Sequence, residues 1–114
     1  MNDPMAIAFR AEWDAAMAAC AAGDLDAAFR RLERAHILGQ RRTGLHVRSH
    51  AGLLRIGWRR RDVREIAGQF ARIVAAVLFS RLWVPEGNTG GADVSAFRPM
   101  PVPEDLREAL NKKP

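Results

Sequence analysis

Apolar residues recur every three to four positions along this chain, and the pattern is interrupted at three places; together these limit the fold more than any other feature. Asp3-Pro4 opens a first helix, with Asp as the cap and Pro at the first helical position. Good helix formers carry it to Ala22, and Gly23 stops it. Asp24 then caps a second helix with the stripe Leu25, Ala28, Phe29, Leu32 and Ala35, which Gly39 ends. A third helix starts at Thr43 or Gly44 and carries Leu45, Leu53, Leu54, Ile56 and Trp58. Asp62 caps the fourth, whose stripe is the clearest: Val63, Ile66, Ala67, Phe70, Ile73, Val74, Val77 and Leu78. No stretch sustains a period of two, so no substantial sheet is expected.

After Trp83 the composition changes. Residues 84–103 hold four of the six prolines and three of the nine glycines. Gly87-Asn88-Thr89-Gly90-Gly91 is incompatible with regular structure, and Phe97, Met100 and Val102 are spaced along a stretch that should lie across the helices. A short last helix runs from Pro103-Glu104-Asp105 through Leu110, with Lys112 to Pro114 frayed. The expectation is a single all-α domain: a four-helix core over residues 1–83, built as two antiparallel hairpins, and a segment over 84–114 packed on it.

Function classes fall away quickly. The chain has 114 residues, enough for one domain. Its apolar run Ile73 to Phe79 has seven residues, and no run exceeds eight, against the roughly 20 a membrane-spanning helix needs. Charges at Asp3, Arg10, Glu12 and Asp14 break any secretory leader, and the single Cys20 excludes an internal disulfide, so a cytoplasmic location is expected. The formal net charge is +5, with 16 arginines. Trp58-Arg59-Arg60-Arg61 makes a basic patch, but Asp62, Glu65 and Glu33 dilute the charge and no nucleic-acid motif is present, so a solvated face is the better reading.

The three histidines, His36, His46 and His50, fall within 15 residues. His46 and His50 share a face of the third helix, as Glu33 and His36 do of the second. About a turn centred near Arg41, His36 levels with His46 and Glu33 with His50, one helical turn of about 5.4 Å separating the layers. Four ligands could thus enclose one point and hold Zn, Fe, Ni, Cu or Mn. The turn at Gly23-Asp24 levels Glu12 with His36, as a fifth ligand or an outer partner of an imidazole. Cys20 falls at the far end and is read as a small buried hydrophobe. The competing reading makes the histidines hydrogen-bonded boundary residues. Gly52 and Gly57 either permit close helix approach or leave space for a ligand. Asn88, Thr89 and Gly90 could offer polar groups to a ligand, or Asn88 could take positive φ.

Two resemblances follow. Gly23-Asp24-Leu25 and Arg61-Asp62-Val63 link the helices of two similar hairpins, offset by 38 residues, which look like tetratricopeptide units. Longer motifs, Glu33-Arg34-Ala35-His36-Ile37-Leu38-Gly39-Gln40, His46-Val47-Arg48-Ser49-His50, Gly57 through Asp62 and Gly87 through Pro101, resemble a bacterial family known only as a domain of unknown function. The resemblance spans about residues 9–110, with Asp93 where Asn was expected. It implies a small soluble bacterial protein, supplies no activity, and suggests that the histidines and the Asn-Thr-Gly-Gly loop belong to one design. The leading expectation is a metal-binding helical protein that serves transition-metal handling. The alternative is an interaction module that takes a peptide, a protein or a second copy as a homodimer. Catalysis at an open metal position ranks third.

Overall fold

The computed structural model describes residues 3–79 and 84–112. Five helices follow one another: α1 (Pro4–Ala21), α2 (Leu25–Gly39), α3 (Thr43–Arg60), α4 (Val63–Phe79) and α5 (Glu104–Asn111). There is no strand among the described residues. The expected core boundary at Trp83 lies outside them, as do Lys113 and Pro114.

Local chemistry sets the helix ends. The Asp3 carboxylate accepts from the Met5 amide at 3.1 Å, with Pro4 at the first helical position. Gly23 takes the left-handed conformation (φ +82°) and Asp24 accepts from the Ala27 amide at 3.0 Å, so the chain reverses within three residues. Between α3 and α4 the left-handed position falls on Arg61 (φ 56°), and Asp62 caps α4 by accepting from the Glu65 amide at 3.1 Å. α3 begins with no side-chain cap.

α1 with α2 and α3 with α4 form two hairpins, and α2 packs on α3. Two apolar clusters hold them. Ala16 and Cys20 of α1 meet Ala28 and Leu32 of α2 and Leu53 and Ile56 of α3. Phe9, Ala35, Ile37 and Leu38 meet Leu106, which docks α5. Small residues bring the axes close. A Cβ on Gly52 would lie 2.8 Å from Leu32 Cδ2 and 3.0 Å from Trp13, so this glycine is there for close approach.

The tail lies across the helices as expected. Gln40 clamps it twice, donating to the Pro85 carbonyl and accepting from the Gly87 amide, both at 3.0 Å. Val102 packs on the second cluster. Phe97, in contrast, is 77% exposed. Part of the basic run is engaged: Arg59 donates to the Cys20 carbonyl at 3.0 Å and Arg60 pairs with Asp26.

α4 inverts the usual amphipathic arrangement. Its inward residues include Glu65 and Gln69 with Ala76. Val63, Phe70, Val74, Val77 and Leu78 of the apolar stripe are each more than half exposed. The stripe is present, but it faces away from the core.

Leu32 is fully buried where three helices meet. Leu32→Ala is expected to cost about 2–5 kcal/mol, read as a lower midpoint at constant slope in urea unfolding.

Candidate metal centre

His36 comes from α2, and His46 and His50 from successive turns of α3. Their Nε2 atoms form an equilateral triangle: each of the three pairs is 3.1 Å apart. All three residues are buried, with exposures of 2, 8 and 2%. The ring centroids are 4.5–4.8 Å apart.

Helix geometry explains why one triangle forms rather than two layers. A helical Cβ leans toward the N-terminus of its own helix. His36 on α2 therefore leans away from the α2–α3 turn, while His50 on α3 leans toward it, and the two opposite tilts bring them level. The same tilt carries Glu33, one turn earlier on α2, farther from the triangle.

Two of the rings have their proton positions fixed from outside. His36 Nδ1 lies 2.7 Å from the Asn88 carbonyl oxygen, which can only accept, so Nδ1 carries the hydrogen and Nε2 is bare. His50 Nδ1 lies 2.6 Å from Gln69 Oε1. The Gln69 amide is itself oriented, because its Nε2 donates to Glu65 Oε2 at 2.6 Å and to the Gly90 carbonyl at 2.9 Å. Its oxygen therefore faces His50, and His50 Nε2 is bare as well. The two bare lone pairs sit 3.1 Å apart. His46 Nδ1 is buried without a partner, so this ring alone is free to choose its tautomer.

The loop completes the enclosure. Gly87 (φ +79°) and Gly90 (φ +85°) take the left-handed conformation, not Asn88. The Asn88 side chain braces the loop, donating to the Ser95 and Arg98 carbonyls at 2.7 Å and accepting from the Gly90 amide at 2.9 Å. A Cβ on Gly90 would lie 2.6 Å from His36 Cδ2, so only glycine allows the loop to rest against this ring.

The two carboxylates expected here are elsewhere. Glu12 accepts from Arg34 Nε at 2.9 Å and Arg31 Nη1 at 3.2 Å, on the other side of α2. Glu33 lies among Thr89, Asp93 and Glu65; burial first, then Asp93, raise its pKa, against the pull of the Thr89 hydroxyl. Among the described residues, the ligand atoms that gather within 4.8 Å of one another are those of the three histidines alone. Of the loop residues, Asn88 and Gly90 serve the histidines through their carbonyls, directly and through Gln69, and Thr89 faces Glu33. The sequence reasoning missed Glu65, Gln69 and Arg72. Their signal is polar residues at i, i+4 and i+7 inside the most apolar helix of the chain.

Burial is the main cause that keeps all three rings neutral. It lowers His36 well below the ordinary imidazole value, His46 to about 4 and His50 to about 3. The neighbouring imidazoles add to the effect at His36 and, from His46, at His50.

A cavity of about 380 Å³ opens beside the triangle. Ala71, Ala75, Ala76 and Phe79 of α4 line one side, Val84, Pro85, Ala96 and Phe97 another, and Arg72 also reaches it.

A family model described as "Protein of unknown function (DUF3703)" matches residues 3–110. Comparison with curated proteins and with solved structures gives no match.

The depressed imidazole pKa values fix the sign of a pH effect. Between the unfolded value near 6.5 and the folded values, the unfolded chain binds more protons, so stability is greatest above 6.5 and falls as pH drops. The raised Glu33 acts in the opposite direction, one group against three. Metal-free protein is expected to lose unfolding midpoint steadily from pH 6.5 to 5, above the range of ordinary carboxylates. Denaturant titrations across that interval would contradict this by giving a flat profile.

Proposed function

The chain belongs to the family of proteins of unknown function (DUF3703), and we propose that it binds one divalent transition-metal ion through His36, His46 and His50, with a coordination position left open to the adjoining cavity. The observation that carries this reading is the triangle of Nε2 atoms with two lone pairs fixed face to face. Bare nitrogens 3.1 Å apart repel each other, and a cation between them turns that repulsion into two bonds. The centre of the triangle is about 1.8 Å from each nitrogen (3.1 Å divided by √3). An ion about 1 Å out of that plane would meet each nitrogen at about 2.0–2.1 Å, the usual zinc–imidazole distance.

Three imidazoles without a carboxylate suit Zn, Cu, Fe or Ni and disfavour Mn. Zinc fits best, because three protein nitrogens and one open position make a tetrahedral site. The Asn88 carbonyl and the Gln69 amide orient the rings in the way that outer partners of metal-bound histidines do. Because the rings are already neutral, zinc displaces no ring proton at neutral pH; His46 only moves its hydrogen to Nδ1.

Protein produced without a polyhistidine tag and dialysed against zinc should hold one equivalent per chain by elemental analysis. His46→Ala or His50→Ala should abolish stoichiometric binding, and Gln69→Leu should weaken it about 10–100-fold. Zinc affinity unchanged in the histidine variants would refute the reading.

The outward stripe of α4 supports a second role, self-association. Val63, Ile66, Phe70, Ile73 and Val77 are spaced 3, 4, 3, 4, the alternation of a helix–helix seam. With Ala67 and Val74 included the stripe is symmetric about Phe70, so a two-fold axis there would set Val63 against Val77 and Ile66 against Val74 of a second copy. It holds no charged residue, which keeps the +5 charge of each copy off the contact. At about 1.5 Å per residue, the 17 residues of α4 give a contact about 25 Å long. We infer that a second copy of this chain covers this face. Sedimentation equilibrium should give a dimer for the wild type and a monomer for Phe70→Glu, with zinc stoichiometry unchanged. A wild type that stays monomeric at high micromolar concentration would exclude it.

A further inference from the structure

The cavity beside the histidines holds one group that the metal reading leaves unused. Among the described residues, Arg72 is the one lining residue with a permanent charge. Its Nη2 donates to the Val94 carbonyl at 2.8 Å, and its Nε is buried with no partner. No carboxylate pairs with it within 4.0 Å among the described residues. Glu65 and Asp93 act on Arg72 only through their charge, and Glu65 is already engaged: it accepts from the Ala92 amide at 3.0 Å and from Gln69 at 2.6 Å. A half-buried guanidinium with a free N–H beside an apolar space marks a place for an anion from outside the chain.

The metal centre asks for the same thing. Three neutral imidazoles supply no negative charge, so a bound divalent ion keeps its full charge and its open position favours an anionic donor. The walls add the second requirement. Beyond Arg72 and the rings, the lining among the described residues is almost wholly alanine, valine, proline and phenylalanine. A small inorganic oxyanion would leave that surface uncovered. A ligand with an anionic head and an apolar body satisfies both ends.

We infer that this cavity takes a monocarboxylate with an apolar body of several carbons, its carboxylate held between the metal and the Arg72 guanidinium. The inference rests on the metal reading above and adds the ligand class to it. The carboxylate oxygens replace water at the open metal position and accept from Arg72, while the carbon chain lies along Ala75, Ala76 and Phe97. Binding breaks no covalent bond.

Cobalt-substituted protein provides the test, because the visible bands of Co(II) report both the metal and its open position. Acetate, butanoate, hexanoate and neutral 1-hexanol are titrated in turn. Affinity should rise about fourfold per methylene from acetate to hexanoate, the ratio expected for burying one CH₂. Hexanol should leave the bands unmoved. Arg72→Met should weaken hexanoate about 10–100-fold, as for loss of a charged hydrogen bond, with cobalt affinity retained. Retention of the cobalt bands shows that this variant still folds. Ala75→Phe, at an exposed rim position, should narrow the cavity and erase the advantage of hexanoate over acetate.

The outcomes separate the two readings. Wild-type protein that shows no cobalt band overturns the metal centre and the carboxylate site together. A band that ignores hexanoate, that responds equally to hexanol, or that responds equally in Arg72→Met overturns the carboxylate site alone.

Discussion

The mutual approach of three buried imidazole nitrogens is the constraint on which the rest of this structure depends. Imidazoles withdrawn from water are each costly unless both nitrogens are satisfied. Two of the rings meet that demand on the outer side, through the Asn88 carbonyl and Gln69, and turn bare nitrogens inward. The inner side is then a concentration of lone pairs with at most one hydrogen, from His46, to share among them. α2 and α3 carry the rings, and Gln69 of α4 and Asn88 of the loop hold two of them in that arrangement.

α4 shows the consequence at the level of a whole helix. An isolated helix with its composition would bury Val63, Phe70, Val74 and Val77 in the domain. Here that stripe faces out, and Glu65, Gln69 and Arg72 occupy the inward and cavity sides. The exchange follows from the chain of hydrogen bonds that begins at the Ala92 amide and passes through Glu65 and Gln69 to His50. Gln69 can hold the His50 tautomer only if its own amide is oriented, and Glu65 can orient it only if its carboxylate is itself satisfied. Once three polar positions must face inward on successive turns, the apolar positions between them have only the outside left.

This also explains what could be read from the chain in advance. Helix boundaries were legible at Asp3-Pro4, Gly23-Asp24 and Asp62, because caps and left-handed turns act within a few residues. The clustering of His36, His46 and His50 was legible from their distances to the α2–α3 turn. The carboxylates were not. Counting residues from a turn gives height along a helix but neither the direction in which a side chain leans nor the competing partners around it. Glu12 lies level with His36 by that count, yet two arginines on the other side of α2 claim it. Asn88 offered a polar side chain to the eye, whereas its backbone carbonyl does the work and its amide braces the loop. Backbone acceptors carry no sequence signature. The outward stripe misleads for the same reason: periodicity identifies an apolar face without saying what the face meets.

The site joins three helices and the tail at one point. α2 and α3 supply the rings, α4 reaches them through Gln69, and the tail reaches them through Asn88 and Gly90. The two apolar clusters, by contrast, are built from α1, α2 and α3 and from α1, α2 and α5. α4 packs on α3 as a hairpin but contributes no residue to either cluster, and the loop meets the site through polar contacts around the histidines. An ion bound only by the assembled triangle would stabilise the folded state by mass action, and that stabilisation would fall on the segments with the least apolar packing. In a chain of this size the metal would then add to the core at the point where α4 and the 87–91 loop meet α2 and α3 through polar groups.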